Sequence, residues 1–273
     1  MVLAHSVVTA DGAHPERLVL FLHGILGRGS NWRSFARRLV AARPSWGAVL
    51  VDLRMHGDSQ PMEPPHTVAR AADDLVALEA ALALPVRGVI GHSFGGKVAL
   101  SYVAERGDAL SHAFVLDATP GPRPTAAGSE ATVAVVDFLS RVEGETWPSR
   151  PAFVARAIAE GNAPGLADWL AMNLAPRGDG LAIRLDLAAI RALLADYFAR
   201  DLWPIVESPP GDLALHVVLG GRSRVFGDED RARLVAASAA APTRVHAHVL
   251  EDAGHWLHVD DFDGLFAVIS ASM

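Results

Sequence analysis

The chain has 273 residues, a net charge of −7 at pH 7 and no cysteine. Its length allows one large α/β domain with an insertion, or two modest domains, around a substantial core. The absence of cysteine excludes disulfides, thiolate metal sites and a cysteine nucleophile. A negative charge without a basic cluster argues against nucleic acid or an anionic membrane surface as partner. The apolar runs are too short to span a bilayer, and the N-terminus lacks the features of a secretory signal, so we expect a cytoplasmic protein.

Short apolar runs alternate with amphipathic stretches along most of the chain, which predicts an α/β fold with a mostly parallel sheet flanked by helices. In such a sheet, ligands bind at the carboxyl ends of the strands. One predicted helix carries Asp73, Asp74 and Glu79 on its expected solvent face. The strands are predicted at 2–9, 18–22, 46–52, 86–90, 113–116, 214–219 and 244–250, and the helices at 32–40, 67–84, 97–104, 228–239 and 260–269.

The alternation stops at Pro120 and resumes after Pro210. Between these prolines there are several helical patterns without a convincing strand, and proline-rich joints lie at both ends. We therefore predict an α/β core formed by residues 1–119 and 211–273, with residues 120–210 inserted as a helical lid. The aromatic side chains of this lid are expected mainly to pack within it; they are Phe138, Trp147, Phe153, Trp169, Tyr197, Phe198 and Trp203.

The stretch Gly91-His92-Ser93-Phe94-Gly95 matches the G-x-S-x-G pattern of a nucleophile elbow. In that turn a serine lies between a strand and a helix in strained backbone geometry, and small residues two positions to either side avoid collisions. A predicted strand precedes the pattern and a predicted helix follows it. Ser93 is therefore the predicted nucleophile, and we expect His92 to point away from the site.

A serine hydroxyl becomes a useful nucleophile when a histidine removes its proton. Among twelve histidines, His255 is the predicted base, because it directly follows the last predicted strand in a loop that can reach the elbow. His56 and His258 are expected to be structural. Several others are scattered singly, without the spacing of metal ligands, so we predict no metal site and no cofactor. These are His5, His14, His66, His216, His246 and His248.

The oxyanion formed during acyl transfer needs two fixed hydrogen-bond donors. One is predicted to be the backbone N–H of Phe94, directly after the nucleophile. The other is predicted to be the Ile25 N–H, in the glycine-containing loop after the second predicted strand, with the Leu26 N–H as the alternative. Two charged residues of the next loop, Asp52 and Arg54, are expected to hold that loop in place.

The residues alone leave the carboxylate of the triad open. The loop after the strand at 214–219 reads Gly-Arg-Ser-Arg and holds no acid, so Asp117, Asp228, Asp230 and Asp252 are all candidates. Asp228 is expected in the first turn of the next helix, where the helix dipole favours an acid. Asp117 ends the predicted strand at 113–116, and from that neighbouring strand it could reach Nδ1 of the same imidazole.

The order of these motifs resembles the α/β-hydrolase superfamily over nearly the whole chain: an early His-Gly, the loop DLRMHGDS, GHSFGG and a late GHW. Finer features are similar to the YbfF-like group of small bacterial esterases. The resemblance implies a serine hydrolase with Asp117 as the acid. Met55 departs from the pattern, where a polar residue is usual, and so does Asp186, where the lid usually has asparagine. The finer features are Lys97 after two glycines, the turn at 117–120, the run at 220–223, Asn173 with Leu174, and residues 184–187.

We predict a carboxylesterase that acts on small-molecule esters with short to medium acyl chains through Ser93, His255 and Asp117. The Ile25 and Phe94 N–H groups would hold the oxyanion. A thioesterase, a carbon–carbon bond hydrolase or a perhydrolase could use the same triad, whereas a dehalogenase or epoxide hydrolase needs a carboxylate where the serine stands. A ligand-binding protein of this fold with little turnover is the alternative from another class. The sequence gives no indication of oligomeric state.

Overall fold

The computed structural model describes residues 2–126 and 128–273. Strands and helices alternate, as apolar runs of five to seven residues separated by amphipathic helices require. The strands are β1 (His5–Val8), β2 (Arg17–Leu22), β3 (Trp46–Val51), β4 (Val86–His92), β5 (His112–Leu116), β6 (Leu174–Arg177), β7 (Gly180–Ile183), β8 (Ala214–Gly220) and β9 (Val245–Leu250). The helices are α1 (Arg33–Ala42), α2 (Val68–Glu79), α3 (Phe94–Arg106), α4 (Glu130–Arg141), α5 (Arg150–Ala159), α6 (Pro164–Leu170), α7 (Leu187–Ala199), α8 (Trp203–Glu207), α9 (Asp228–Ala240), α10 (Leu257–Asp260) and α11 (Phe262–Ser272).

Within the described residues, seven strands form one sheet in the order β1-β3-β2-β4-β5-β8-β9. The edge strand β1 runs antiparallel to β3, and the other neighbouring pairs are parallel. The strand β4 therefore lies in the middle, between β2 and β5. Because the parallel strands end at the same edge, the loops that follow β2, β4, β5, β8 and β9 meet there. The predicted mostly parallel α/β sheet is confirmed.

Alternate residues of the strands pack into two separate apolar layers. On one face Phe21, Ile90 and Phe114 pack with Phe35 of α1 and Leu265 of α11. On the other face the intervening strand residues pack with α2 and α3. This division follows from the period of two along a strand, and burial on both faces explains why the central strands read as continuous apolar runs. No helix among the described residues is long and apolar enough to cross a membrane.

Residues 120–210 separate β5 from β8 and contain α4 to α8 together with the hairpin β6–β7. The expectation of a segment without strands is therefore wrong. Each strand of the hairpin has four residues and one contains Pro176, so neither shows an alternating apolar pattern long enough to recognise. The local signal for a hairpin was the glycine at position 178, which occupies the turn with a φ of 57°.

Helix α2 ends at Glu79, earlier than the pattern at 67–84 predicted, and Thr67 caps its first turn. Its predicted solvent face is wrong for Asp74, which is buried and forms an ion pair with the buried Arg54, 3.3 Å away. Glu79 is also engaged, because its carboxylate accepts hydrogen bonds from Tyr102 and Arg106 of α3. A helical period alone cannot distinguish a charge facing water from one facing a buried partner.

Candidate active site

Ser93 lies between β4 and α3 with φ 53° and ψ −118°, a backbone conformation that residues other than glycine rarely adopt. The two glycines of the motif allow this turn. A Cβ on Gly91 would lie 2.1 Å from the carbonyl oxygen of Gly95, and a Cβ on Gly95 would lie 2.6 Å from that of His23. Side chains at these positions would collide with backbone, so the glycines permit the sharp turn that raises the hydroxyl above the sheet edge.

The structure brings Ser93, His255 and Asp117 together, although 162 and 138 positions separate His255 from the other two. Nε2 of His255 lies 3.1 Å from Oγ of Ser93, and Nδ1 lies 2.6 Å from Oδ2 of Asp117. A carboxylate accepts hydrogen bonds, so the short contact assigns the ring proton to Nδ1 and leaves Nε2 free to accept the serine proton. These are the contacts that a Ser-His-Asp triad requires.

Asp117 follows β5 directly, is completely buried and has a positive φ of 45°. Besides the histidine, the hydroxyl of Ser223 donates to Oδ2 at 2.5 Å and the Gly220 N–H donates to Oδ1 at 3.1 Å. Gly220 and Ser223 belong to the run 220–223 that carries part of the family resemblance, and no sequence pattern predicted their contact with the carboxylate. The loop after β8 thus holds the carboxylate with a hydroxyl and a backbone donor instead of supplying an acid of its own.

The other three candidate acids lie away from the imidazole and have other partners or positions. Asp230 is bound to Arg123 and accepts a hydrogen bond from Thr119. Asp252 is exposed and paired with Arg222, and Asp228 begins α9 with its side chain in an exposed position. Of the four, the structure brings Asp117 to the histidine.

The loop after β2 lies next to Ser93, and its backbone donors have distinct surroundings. The Leu26 N–H donates to Nε2 of His56 at 3.0 Å, so the alternative oxyanion donor is already engaged. No acceptor among the described residues binds the Ile25 N–H. The Phe94 N–H begins α3, where backbone donors have no partner within the helix. Both N–H groups that the sequence predicted as oxyanion donors are therefore free to bind a ligand oxygen.

Two buried histidines, one in the loop after β2 and one in the loop after β3, each accept a hydrogen bond from the other loop. Nε2 of His56 accepts the Leu26 N–H, and Nε2 of His23 accepts the Leu53 N–H at 3.0 Å. Burial lowers the pKa of His23 to about 4 and that of His56 to about 3. The neutral rings can accept at Nε2, whereas protonation would turn both acceptors into donors facing N–H groups. His56 is structural, as predicted.

His92 does not point away from the site, contrary to the prediction. Its Nε2 donates to the backbone carbonyl of His255 at 2.7 Å, and the two rings lie 4.8 Å apart. Burial, with further contributions from His255 and His258, lowers the pKa of His92 well below its usual value. The side chain therefore positions the loop that carries His255. The sequence signal for this contact was the position of His92 in the motif, directly before the serine that the loop carrying His255 must reach.

Asp52 and Arg54 hold the loop after β3, as predicted. The carboxylate of Asp52 accepts the N–H groups of Gly29 and Asp58, at 2.7 and 2.9 Å. Arg54 is buried, forms the ion pair with Asp74 and donates to the carbonyl of Glu63.

An apolar cavity of about 160 Å³ opens beside Ser93. It is bounded by the Ile25 loop, by His255 and by the inserted segment. One of the seven aromatic residues expected to pack within that segment, Trp169, lines this cavity and contacts Trp256 with ring centroids 5.0 Å apart. Leu26, Val135, Leu166 and Val225 contribute aliphatic surface to the lining, and His92, Ser129 and Thr132 contribute polar groups.

Two side chains connect the inserted segment to the site. Nδ2 of Asn173 donates to the carbonyl of Leu26 at 3.0 Å, so this segment contacts the loop of the predicted oxyanion donors. Lys97, on the helix that follows Ser93, is fully buried and donates to the carbonyls of Gly121, Tyr197 and Arg200 at 2.7 to 2.9 Å. Asp186 caps α7 by accepting the Ala189 N–H.

The described residues contain no group of three or more acidic, histidine or cysteine side chains suited to a metal ion. Three histidines expected to be scattered singly are nevertheless neighbours, because they occupy adjacent strands. His216 on β8 stacks on His246 of β9, and its Nδ1 lies 3.1 Å from Nε2 of His248. Strand register, which spacing along the chain does not reveal, brings them together.

Residues 19–268 match the alpha/beta hydrolase family. The chain belongs to this family. Among curated relatives, the sn-1-specific diacylglycerol lipase ABHD11 of Mus musculus is 26% identical over 269 residues, covering 94% of this chain and 80% of the relative. Esterase YbfF of Escherichia coli is 26% identical over 262 residues, covering 96% of this chain and 94% of the relative. These relatives confirm the predicted resemblance to YbfF-like esterases and the predicted class, a carboxylesterase-type hydrolase.

The fold of this alpha/beta hydrolase also resembles that of solved structures. A marine microorganism esterase superimposes with a TM-score of 0.84 at 22% identity, covering 100% of this chain and 99% of that one. At this identity the likeness concerns the fold alone.

Proposed function

We propose that the protein is a serine hydrolase that cleaves carboxylic esters of short to medium acyl chain length through an acyl-enzyme. The observation that carries this proposal is the pair of hydrogen bonds that links Ser93, His255 and Asp117 beside an apolar cavity. Ser93 would be the nucleophile, His255 the general base and acid, and Asp117 the group that orients and stabilises the imidazolium.

In the first half of the proposed reaction, Oγ of Ser93 attacks the ester carbonyl carbon while its proton passes to Nε2 of His255. The carbonyl oxygen becomes an oxyanion, which would accept hydrogen bonds from the N–H groups of Ile25 and Phe94. When the tetrahedral intermediate collapses, the proton on Nε2 passes to the leaving alkoxide, and an acyl-serine remains.

In the second half, a water molecule gives a proton to Nε2 and attacks the acyl carbon. When the second tetrahedral intermediate collapses, Nε2 of His255 returns the proton to Oγ of Ser93 and the carboxylic acid is released. The buried carboxylate of Asp117, held by Ser223 and Gly220, would keep the ring in the tautomer that both halves need.

We further infer that residues 120–210 form a lid domain over the site, inserted into a core of residues 1–119 and 211–273. Leu166 and Trp169 of α6 support this inference because they line the cavity beside Ser93. A thioester could react through the same steps, so acyl-thioesters remain a second candidate class of substrate.

Ser93→Ala tests the proposed nucleophile. We expect at least about a 10⁴-fold loss of kcat for p-nitrophenyl acetate, because removing the serine of a triad abolishes covalent catalysis. Ser34→Ala, which alters an exposed serine of α1, serves as the control and should keep the wild-type rate. A variant lacking Ser93 that retains wild-type hydrolysis would contradict the proposal.

A fluorophosphonate probe distinguishes an enzyme from a binding protein of the same fold. We expect the probe to label Ser93 in the folded wild-type protein, as mass spectrometry of the labelled peptide would report. Folded protein that the probe does not label would favour the binding protein.

A further inference from the structure

We propose that the site selects uncharged esters that combine an acetyl-sized acyl group with an apolar alcohol of about the size of a benzyl group. This inference rests on the proposed function, narrows its acyl range to the shortest chains and assigns the two halves of the substrate to the space around Ser93. It comes from the shape of the space on the two sides of Ser93.

Two cavities of very different size meet at Ser93. The larger one, of about 160 Å³, is lined by His255 and Trp256. The smaller one, of about 10 Å³, is lined by Phe94 and by Leu194 and other residues of α7. Four residues line both cavities, so the two are adjoining spaces around one nucleophile; these are Ser93, Ile25, Ser129 and Thr132.

Proton transfer decides which half of the substrate occupies which cavity. The leaving alkoxide must receive its proton from Nε2 of His255, so the alcohol half has to lie on the side that this ring lines. His255 lines the larger cavity and is not among the described residues around the smaller one. The smaller cavity borders Phe94, whose N–H would help to hold the oxyanion, whereas Ile25 borders both cavities. The acyl half therefore lies in the smaller cavity and the alcohol half in the larger one.

The acyl side is small and its wall is firmly held. About 10 Å³ corresponds to roughly one water-sized sphere, which is also the size of the methyl group of an acetyl ester. Tyr197 and Phe198 form part of the wall, with their ring centroids 5.4 Å apart. The backbone carbonyl of Tyr197 accepts a hydrogen bond from the buried Lys97, which fixes α7 against the helix that follows the nucleophile. A longer acyl chain would have to displace this packed wall.

The alcohol side suits one apolar group. An apolar cavity of about 150 Å³ is known to hold benzene, and the space here is of that size. Its lining has no lysine, arginine, aspartate or glutamate among the described residues, so a charged substrate group would be buried without a partner. Carboxylate-bearing or phosphate-bearing leaving groups are therefore disfavoured.

Two ester series test this assignment, with hydrolysis followed by pH-stat titration. With benzyl alcohol held constant, kcat/KM should fall at least about tenfold from benzyl acetate to benzyl butyrate and further to benzyl octanoate, because each added methylene lacks space. With acetate held constant, kcat/KM should rise at least about tenfold from methyl acetate to benzyl acetate. A wild-type enzyme that prefers the octanoate, or does not distinguish the alcohols, would overturn the inference.

A crossed pair of variants locates the two halves. Phe198→Ala, in the wall of the smaller cavity, should raise the butyrate-to-acetate ratio about tenfold and leave the order of alcohols unchanged. Leu166→Ala, in the wall of the larger cavity, should change the order of alcohols and leave the order of acyl groups unchanged. Phe198→Leu provides a milder enlargement should the alanine variant fail to fold, and the exposed Val235→Ala should alter neither order.

The outcomes separate this inference from the proposed function. Esterase activity with the opposite crossed pattern, in which Phe198→Ala shifts the alcohols and Leu166→Ala the acyl groups, would overturn the assignment while leaving the serine hydrolase in place. A folded protein that hydrolyses neither series and that fluorophosphonate does not label would instead refute the proposed function.

Discussion

Asp117 accepts hydrogen bonds from the His255 ring, the Ser223 hydroxyl and the Gly220 N–H, at 2.6, 2.5 and 3.1 Å. Three donors around one buried carboxylate satisfy its oxygens without a counter-ion and fix the direction in which it faces the imidazole. An amide of the same shape would present an NH₂ group to at least one of these donors. Replacing Asp117 with asparagine therefore removes a negative charge and also disturbs the tautomer of His255.

Asp117→Asn should lower kcat about 10³-fold to 10⁴-fold, because the imidazole would lose the acceptor that holds its productive tautomer. Steady-state kinetics on p-nitrophenyl acetate checks this, and circular dichroism reports whether the variant is folded. Asp228→Asn, an exposed acid at the start of α9, is the matched control and should keep the wild-type kcat. Full activity in the first variant together with a large loss in the second would identify a different acid.

Helix α3 connects the nucleophile to the inserted segment through one side chain. Lys97 is fully buried, its ammonium reaches carbonyls at both ends of that segment, and it lies 4.6 Å from the ring centroid of Tyr197. Burial lowers the pKa of Lys97 to about 7. The contacts of Lys97 hold α3 and α7 together in this arrangement. Because the ammonium is buried away from water, the folded state also opposes protonation of the amine.

The pH dependence of stability should reveal this buried lysine. Its folded pKa of about 7 lies below the ordinary value of 10.5. Between these values the unfolded chain binds more protons, so the free energy of unfolding should rise with pH. From pH 7 to 9 the wild type should gain up to about 1.4 kcal/mol per pH unit relative to Lys97→Met. Urea unfolding at pH 7, 8 and 9 measures the difference.

Arg106→Met provides the control for that experiment on the same helix. Hydrogen bonding to Glu79 raises the pKa of Arg106, so this residue does not titrate between pH 7 and 9. The control should follow the wild-type pH dependence. If the wild type and Lys97→Met had parallel profiles, the lysine would not titrate in this range.

Across the whole molecule, histidines buried within the fold have lowered pKa values. Burial lowers the pKa of His23, His56, His92 and His258 around the site, and of His216 in the sheet. A base with a lowered pKa stabilises the fold fully above its ordinary value of 6.5, and that contribution is lost as the pH falls toward the folded pKa. The fold should therefore weaken steeply in mild acid, before most carboxylates are protonated.

His216→Phe should reduce this sensitivity to acid. Burial, with further contributions from His246, His248 and His112, lowers the pKa of His216 to about 3, and its ring stacks on Phe114 at 4.6 Å. A phenyl ring preserves the stacking and removes one proton site. We expect the slope of unfolding free energy between pH 4.5 and 6.5 to fall by up to about 1.4 kcal/mol per pH unit.

Urea titrations across that range, with the exposed His14→Phe as control, provide the measurement. His14→Phe should retain the wild-type slope, because it replaces a ring on the surface and leaves the buried histidines in place. An unchanged slope in His216→Phe would show that this histidine does not oppose protonation.

The sequence by itself determined the elements whose signals are local. Continuous apolar runs predicted the central strands, and the helical period predicted most of the core helices. The spacing of Gly91 and Gly95 around Ser93 indicated the elbow, because a Cβ at either position would collide with neighbouring backbone. The hairpin β6–β7 escaped prediction because its four-residue strands are too short to show a period.

Tertiary structure alone decided which distant residues meet. Asp117 reaches His255 because β5, β8 and β9 are consecutive in the sheet, and the loop after β8 brings Ser223 to the same carboxylate. The pairing of β8 with β9 likewise joins His216 to His248. Asp74 of α2 faces the buried Arg54 of the loop after β3, which is a contact between a helix and a loop. Residues on separate strands carry no mutual spacing in the chain. Their contacts depend on strand order and register, which are set by the packing of the whole sheet and not by any one segment.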